Sequence, residues 1–478
     1  MQLILLGLAL AIFMHDTPEA QALMVSLPLG WLITVVAAPK FLVALVYAWA
    51  CRRTRRRLGQ AFGIRSLSRL NRLSAVLPFF ALLSFTLDLW AGLLRGLRGA
   101  DGLSLSGPRD WVLVDEVAAM LPTLALLAFS HWAYYPIDRR LREAAVLTRV
   151  DEGLPIYPVW TRGQYVVTQL RNSFAMVLGP LLLIMAWSES LVKLHDRGVI
   201  GETTQLWLMP GGAALAFVLA PLLMRKMWDT VPLPPGPIRD KLLDMCRRHG
   251  VAVRDLLLWR TFGGMINAAV MGLFGRVRFI LLSDGLLDQV GEREVEAVMA
   301  HELAHVRLKH LWWLLVAAGA SLVVVSAAGE ALLLIGGDWP VWAQGVMAAA
   351  GLAAWALTFG WVSRRIERQA DTFGARHMTN VGGDYVDTDG EDHAVEPRRF
   401  DAFGVESMAG ALQRVADLNH IAPTRRSWRH GSIAWRQRYL RSLVGHPLNH
   451  PPIDRLMRVV NAVSLVVLLA AIVWGLLG

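Results

Sequence analysis

The chain has 478 residues, 55% hydrophobic and only 18% charged, with a formal net charge of +10. Soluble domains carry roughly 45–50% apolar and about 25% charged residues, so this composition excludes one ordinary soluble core and points to a membrane protein. The basic excess is arginine set beside apolar runs, the pattern of membrane-flanking loops, which argues against a nucleic-acid partner; the two cysteines, Cys51 and Cys246, suggest neither a disulfide framework nor a cysteine metal site.

A spanning helix needs about 20 mostly apolar residues. Such runs fall at 23–50, 73–94, 111–135, 173–192, 206–224, 311–335, 341–362 and 459–477. A shorter run at 3–14 is either a further span or a signal-like segment; it has neither a basic leader nor a clear cleavage site. Between the first two long runs lie Arg52, Arg53, Arg55, Arg56, Arg57, Arg65, Arg69 and Arg72, with no acidic residue. That loop is expected in the cytoplasm. Alternate threading then puts 136–172, 225–310 and 363–458 on the same side. Lys40, Asp88 and Glu330 fall inside expected spans, where ionisable groups face a bundle interior or a cavity, or snorkel.

The expected organisation is a multi-span membrane region over 1–224, a first polar folded segment over 225–310, a membrane hairpin over 311–362, a second polar folded segment over 363–458, and a closing transmembrane helix over 459–478. The first polar segment opens Pro-rich at 231–237. A helix follows at 238–249, then short strands at 255–259, 267–271 and 277–282, the last two punctuated by Gly272 and Gly275 as a hairpin. A helix starts near Glu292, with Glu292, Glu294 and Glu296 where carboxylates suit the positive end of the helix dipole. The second polar segment begins helically and is broken at 380–397 by an acidic stretch read as a flexible loop.

The chemistry is carried by His301-Glu302-Leu303-Ala304-His305. Residues four apart share a helix face, so His301 and His305 can grip one Zn²⁺ while Glu302 reaches a water on it. Zinc lowers the pKa of that water to about 7, and Glu302 serves as general base. A catalytic zinc needs a third protein ligand. A histidine ten residues after His301 would mark the metzincin pattern, but Leu311 stands there. His310 is out of that register and reads as surface or interfacial. Glu367 is the better third ligand: the hairpin 311–362 returns the chain to the same side just before it. Asp371, on the same helix face, can accept the free imidazole N–H of a zinc ligand.

The HELAH run, SRRIERQAD after two spans, NAAVMGLFGRVRFILLSDGLL ahead of the zinc helix, and His450-Pro-Pro-Ile-Asp-Arg455 near the C-terminus together resemble the membrane-embedded zinc peptidases. That family includes the zinc-type CAAX prenyl proteases and HtpX. The resemblance covers about 225–458 and implies a mainly α, polytopic membrane protein with a gluzincin-like α+β peptidase domain and a small sheet. It implies His301, His305 and Glu367 as ligands of one Zn²⁺, Glu302 as base and Asp371 as the acid behind the ligands. It implies His450 as a stabiliser of the tetrahedral intermediate. Asn267, Ala268, Ala269, Val270 and Met271 match the edge strand on which substrate backbone pairs. In the relatives an Arg falls six residues after the histidine of the His-Pro-Pro run; here Leu456 holds that place and Arg455 comes one earlier, so Arg455 is an off-register candidate.

The expected function is a zinc endopeptidase acting at the cytoplasmic face on polypeptides, chiefly membrane-associated or misfolded proteins. The alternatives are CAAX-type processing of lipidated proteins and a signalling receptor that retains the fold. Lysine appears only at 40, 193, 226, 241 and 309. That bias suggests a GC-rich bacterial genome and an inner-membrane location, which weighs against prenyl processing. The oligomeric state is open.

Overall fold

The computed structural model describes residues 27–58, 63–97, 112–151, 160–336, 339–382 and 398–477. The short run at 3–14 and nearly all of the acidic stretch at 380–397 lie outside them. The chain divides into two compact units, Met1–Asp229 and Thr230–Gly478.

The first unit is helical: α1 (Leu29–Arg57), α2 (Gly63–Trp90), the short α3 (Leu93–Leu97), α4 (Val114–Asp151), α5 (Arg162–Asp196) and α6 (Glu202–Met227). Helices α1, α2 and α4 pack on one another, and α5 packs on α6. Phe85, Leu94 and Leu127 sit fully buried between them. Inside this apolar packing Lys40 Nζ meets Asp88 Oδ2 at 2.5 Å and Ser84 Oγ at 2.8 Å. A charge in such a place is tolerable only when paired.

The second unit begins with β1 (Thr230–Pro232) and α7 (Pro237–Arg248). It continues with β2 (Asp255–Trp259), β3 (Ala268–Met271), a 3-10 turn (Gly275–Val277), β4 (Phe279–Ser283), α8 (Asp284–Gln289) and α9 (Glu292–Arg307). Then come α10 (His310–Gly336), α11 (Val341–Gly382), α12 (Ala402–Leu418), α13 (Ile433–Arg441) and α14 (Pro452–Leu477). The sheet order is β1-β2-β4-β3. Strand β4 lies parallel to β2 and antiparallel to β3, and β1 runs antiparallel to β2. All five residues of β4 are buried, as a central strand of that composition requires. At the β3–β4 turn Gly272 has φ +100°, and a Cβ there would run into the Val277 carbonyl.

Two strand expectations shift. The third expected strand starts two residues later, because Gly275–Val277 spend themselves on the 3-10 turn. The Pro-rich opening supplies an unexpected edge strand, which tolerates Pro232 because an edge leaves one side of the ladder unpaired.

Among the described residues, seven helices are long and apolar enough to cross a membrane: α1, α2, α4, α6, α10, α11 and α14. The chain is a multi-pass membrane protein. The expected span at 173–192 lies in α5, which is not among the seven. Glu330, on α10, is exposed.

Candidate metal centre

Helix α9 starts cleanly because the Glu294 carboxylate reaches back to the Gly291 N–H at 3.0 Å, satisfying a donor that a helix start leaves unpaired. It buries Val295, Met299, Ala300 and Leu303 against the sheet and α7. Ala297 packs with Ala375, Met378 and Met408 of α11 and α12. Both flanks of α9 are therefore fixed, and the face between them carries His301 and His305.

Helix α11 is continuous from its apolar half through Glu367 and Asp371. One ligand-capable atom each of His301, His305 and Glu367 lies within 4.8 Å of the others. His301 Nε2 is 3.3 Å from His305 Nε2 and 3.7 Å from Glu367 Oε2. A tetrahedral zinc with bonds of about 2.0–2.2 Å sets its ligand atoms roughly 3.3–3.6 Å apart. The donor set and its spacing fit that ion.

Behind the ligands, His301 Nδ1 lies 3.0 Å from Asp371 Oδ1, although its N–H does not point squarely at the oxygen. Asp371 is fully buried and is gripped on both oxygens by Arg436, at 2.6 and 2.7 Å. Arg436 also reaches Glu367 Oε2 at 3.3 Å. His430 Nδ1 lies 2.8 Å from Glu367 Oε1. Two buried carboxylates, Glu367 and Asp371, thus meet on the Arg436 guanidinium.

The electrostatics follow from this. Burial opposes a charge on His301, but the hydrogen bond and charge of Asp371 outweigh it and raise its pKa. Burial and neighbouring His301 hold His305 well below its usual value, so it stays neutral. Burial pushes the Glu302 carboxyl up to about 7; Glu367 adds to the push, while His301, Arg436 and the backbone N–H of Val270 oppose it. That contact puts Glu302 beside β3, the strand expected to receive substrate.

A cleft of about 810 Å³ opens over the cluster, lined by Val270 and Gly272 of the β3 edge, His305, Glu367, Trp312 and Arg429.

The structure therefore brings together His301, Glu302, His305, Glu367, Asp371 and Val270. It does not bring in His450 or Arg455. Both are exposed, and among the described residues no hydrogen bond or ion pair joins either to the cluster. The places expected for them beside the third ligand are taken by His430 and Arg436. Those two are six residues apart, the spacing the relatives use. That spacing is the signal in the sequence that marks them.

The local fold explains how His430 arrives. Trp428 stacks on Phe359 with ring centroids 5.6 Å apart and rests on Gly360, where a Cβ would strike its indole. Arg364 holds the Trp428 carbonyl at 2.7 Å. Gly431, at φ +75°, then turns the chain into the Ser432 cap of α13, which carries Arg436. The reading of His310 as surface or interfacial is also corrected. His310 is only 3% exposed, with Nδ1 3.0 Å from His305 Nδ1.

Comparison with known proteins follows this geometry. Residues 258–388 match the model of peptidase family M48. A 67-residue segment is 36% identical to a protease HtpX homolog of Herminiimonas arsenicoxydans. It covers 14% of this chain and 22% of that relative, so the match spans about a fifth of the relative's length. A search of solved structures finds S. mikatae Ste24p, at 14% identity and TM-score 0.48, covering 86% of this chain and 98% of that one. The M48 segment takes in β3, β4, α9, α10 and the ligand half of α11. His430, Arg436, His450 and Arg455 lie beyond it.

Proposed function

We propose, from the premise that residues 258–388 are a peptidase family M48 domain within a multi-pass membrane chain, that this protein is a zinc endopeptidase cleaving membrane-associated polypeptides at the cytoplasmic face. The observation that carries the reading is the convergence of His301, His305 and Glu367, ligand atoms within 4.8 Å of one another, with Glu302 on the helix that carries the two histidines.

Zinc held there would polarise the scissile carbonyl and acidify water at neutral pH. The chain's own residues do the rest. Glu302 accepts the proton of the attacking water and delivers it to the departing amine, a task suited to a carboxyl poised near neutrality. Asp371 orients His301, and Arg436 holds Asp371 and Glu367 in place while remaining buried between them. Substrate adds as a strand along the β3 edge, from Ala268 to Met271 with Asn267 at its entry. Main-chain pairing of this kind tolerates many side chains. His430 is half exposed and contacts the third ligand, which suits it to meet the negative oxygen of the tetrahedral intermediate.

The arginines at 52–72, on the end of α1 and the start of α2, support the cytoplasmic assignment. The Arg-over-Lys bias supports a bacterial inner membrane.

The test uses full-length protein in detergent. Wild type and Glu302→Gln should each carry about one zinc, since no zinc ligand is removed. Only wild type should hydrolyse casein. Zinc-free active protein would sink the mechanism, and a Glu367→Ala variant that kept full zinc would remove the third ligand.

A further inference from the structure

The two histidines of the metal centre are supported differently. His301 has a carboxylate directly behind it. His305 has a second histidine. His305 Nε2 faces His301 Nε2 at 3.3 Å, so it is the metal-side nitrogen, and its remaining nitrogen, Nδ1, lies 3.0 Å from His310 Nδ1. Beyond that, His310 Nε2 is 3.2 Å from Gln369 Oε1, and Gln369 Nε2 donates to Asp454 Oδ1 at 2.8 Å. Arg376 reaches the other oxygen of Asp454 at 3.3 Å.

The direction of every link is forced. A neutral imidazole has one N–H and one lone pair. If the lone pair of His305 Nε2 faces the metal, the proton is on Nδ1 and is donated to His310 Nδ1. His310 must then accept there, so its own proton is on Nε2. That proton goes to the Gln369 carbonyl oxygen, which leaves the amide nitrogen to meet the Asp454 carboxylate. A reversed Gln369 would set its NH₂ against the His310 N–H and its oxygen against a carboxylate. The chain is consistent in one sense only and ends on an anion in the first turn of α14, where the helix dipole favours negative charge.

We propose that His310, Gln369 and Asp454 form a directional relay that fixes the tautomer and ring orientation of His305 and so sets zinc affinity. This rests on the metal-centre reading above. It also gives the 450–455 segment a function: its Asp454 anchors a ligand from behind. These three are positioning residues, because none touches the reacting atoms. Second-shell partners of this kind typically control metal affinity about 10–100-fold.

The test is zinc affinity of full-length, detergent-solubilised protein, measured by competition with a chromophoric chelator. Gln369→Leu removes both of its links and should weaken zinc binding about 10–100-fold. Excess zinc should restore its kcat, with KM unchanged. The double variant Gln369→Glu/Asp454→Asn keeps an acceptor facing His310, moves the negative charge from 454 to 369, and leaves the 454 amide to donate at the last link. It should bind zinc at least as tightly as wild type. Loss of affinity in the double variant equal to that in Gln369→Leu would overturn the directional relay. So would Gln369→Leu binding zinc as wild type does. Wild type that takes up no zinc at all would instead remove the metal centre itself.

Discussion

Each unit of this protein buries charge, and the two do it differently. In the first unit the buried Lys40 and Asp88 close on each other, with Ser84 beside them. In the second unit Glu367 and Asp371 share Arg436, and ligand atoms of two histidines and a carboxylate lie within 4.8 Å of one another. A closed pair is a packing solution. A set of ligand atoms that converges on a point is the geometry of the metal centre proposed above. The difference is one of stoichiometry and aim, and it is visible without reference to any relative.

The largest test of that contrast is on the open cluster. Glu302→Gln should lower kcat by about 10²–10⁴ with zinc retained, the usual loss on removing a general base. Activity at full zinc occupancy would show the deficit. Arg436→Met should leave the buried Asp371 without its partner and destabilise the protein by roughly 3–5 kcal/mol. Added zinc should recover part of that loss in a thermal melt, because a ligand that binds only the folded state stabilises it.

The closed pair should respond in the opposite sense to a joint change. Asp88→Leu alone strands a buried lysine and should cost roughly 3–5 kcal/mol. Lys40→Met with Asp88→Leu should return close to wild-type stability, since replacing both partners with apolar groups is often neutral. If the double variant stayed as unstable as the single one, the pair would have a role beyond packing.

A smaller effect concerns pH. His301 has a raised pKa and His305 a strongly lowered one, so zinc competes with one proton, on His301. Apparent affinity should fall as pH drops through the raised His301 value, about tenfold per unit for one proton. Asp371→Asn should move that fall to lower pH. A slope of two protons per zinc would contradict the neutral state of His305.

The smallest effect lies away from the centre. Glu296 is held at about 2 by its hydrogen bond to His377, against burial and with help from Lys241. A depressed carboxyl pKa stabilises the fold above the unfolded value near 4.3 and loses that contribution as pH falls toward 2. Glu296→Gln should flatten the acid side of the stability–pH curve over that window.

How much of this was legible in the sequence depends on distance along the chain. His301, Glu302 and His305 announce themselves because one helical turn joins them. Glu367 and Asp371 follow once the hairpin is recognised, since α10 and the first half of α11 must return the chain to its side. His430 and Arg436 sit in a stretch with no apolar periodicity, and only their mutual spacing marks them. His310 stands one residue short of the metzincin position, among the charged Arg307 and Lys309, and nothing local marks it as buried. What buries it comes from Gln369 on another helix, and no local pattern encodes that contact. Strand β1 escaped notice because three residues ending in proline carry no alternation to detect.

One feature sets a limit on reach. Helix α11 runs unbroken from Val341 to Gly382, 42 residues and about 63 Å of rigid rod. Glu367 lies only about one and a half turns past the apolar stretch, on the order of 8 Å along the axis. On the proposed function the rod would hold the metal centre at a set height over the bilayer surface. Peptide bonds just outside a substrate's membrane span come within range, whereas those at its midpoint must first be drawn out. Cleavage sites mapped on a single-span substrate should therefore crowd at its cytoplasmic juxtamembrane segment. Moving that segment outward by a rigid helical spacer should carry the cuts with the surface and not with the sequence.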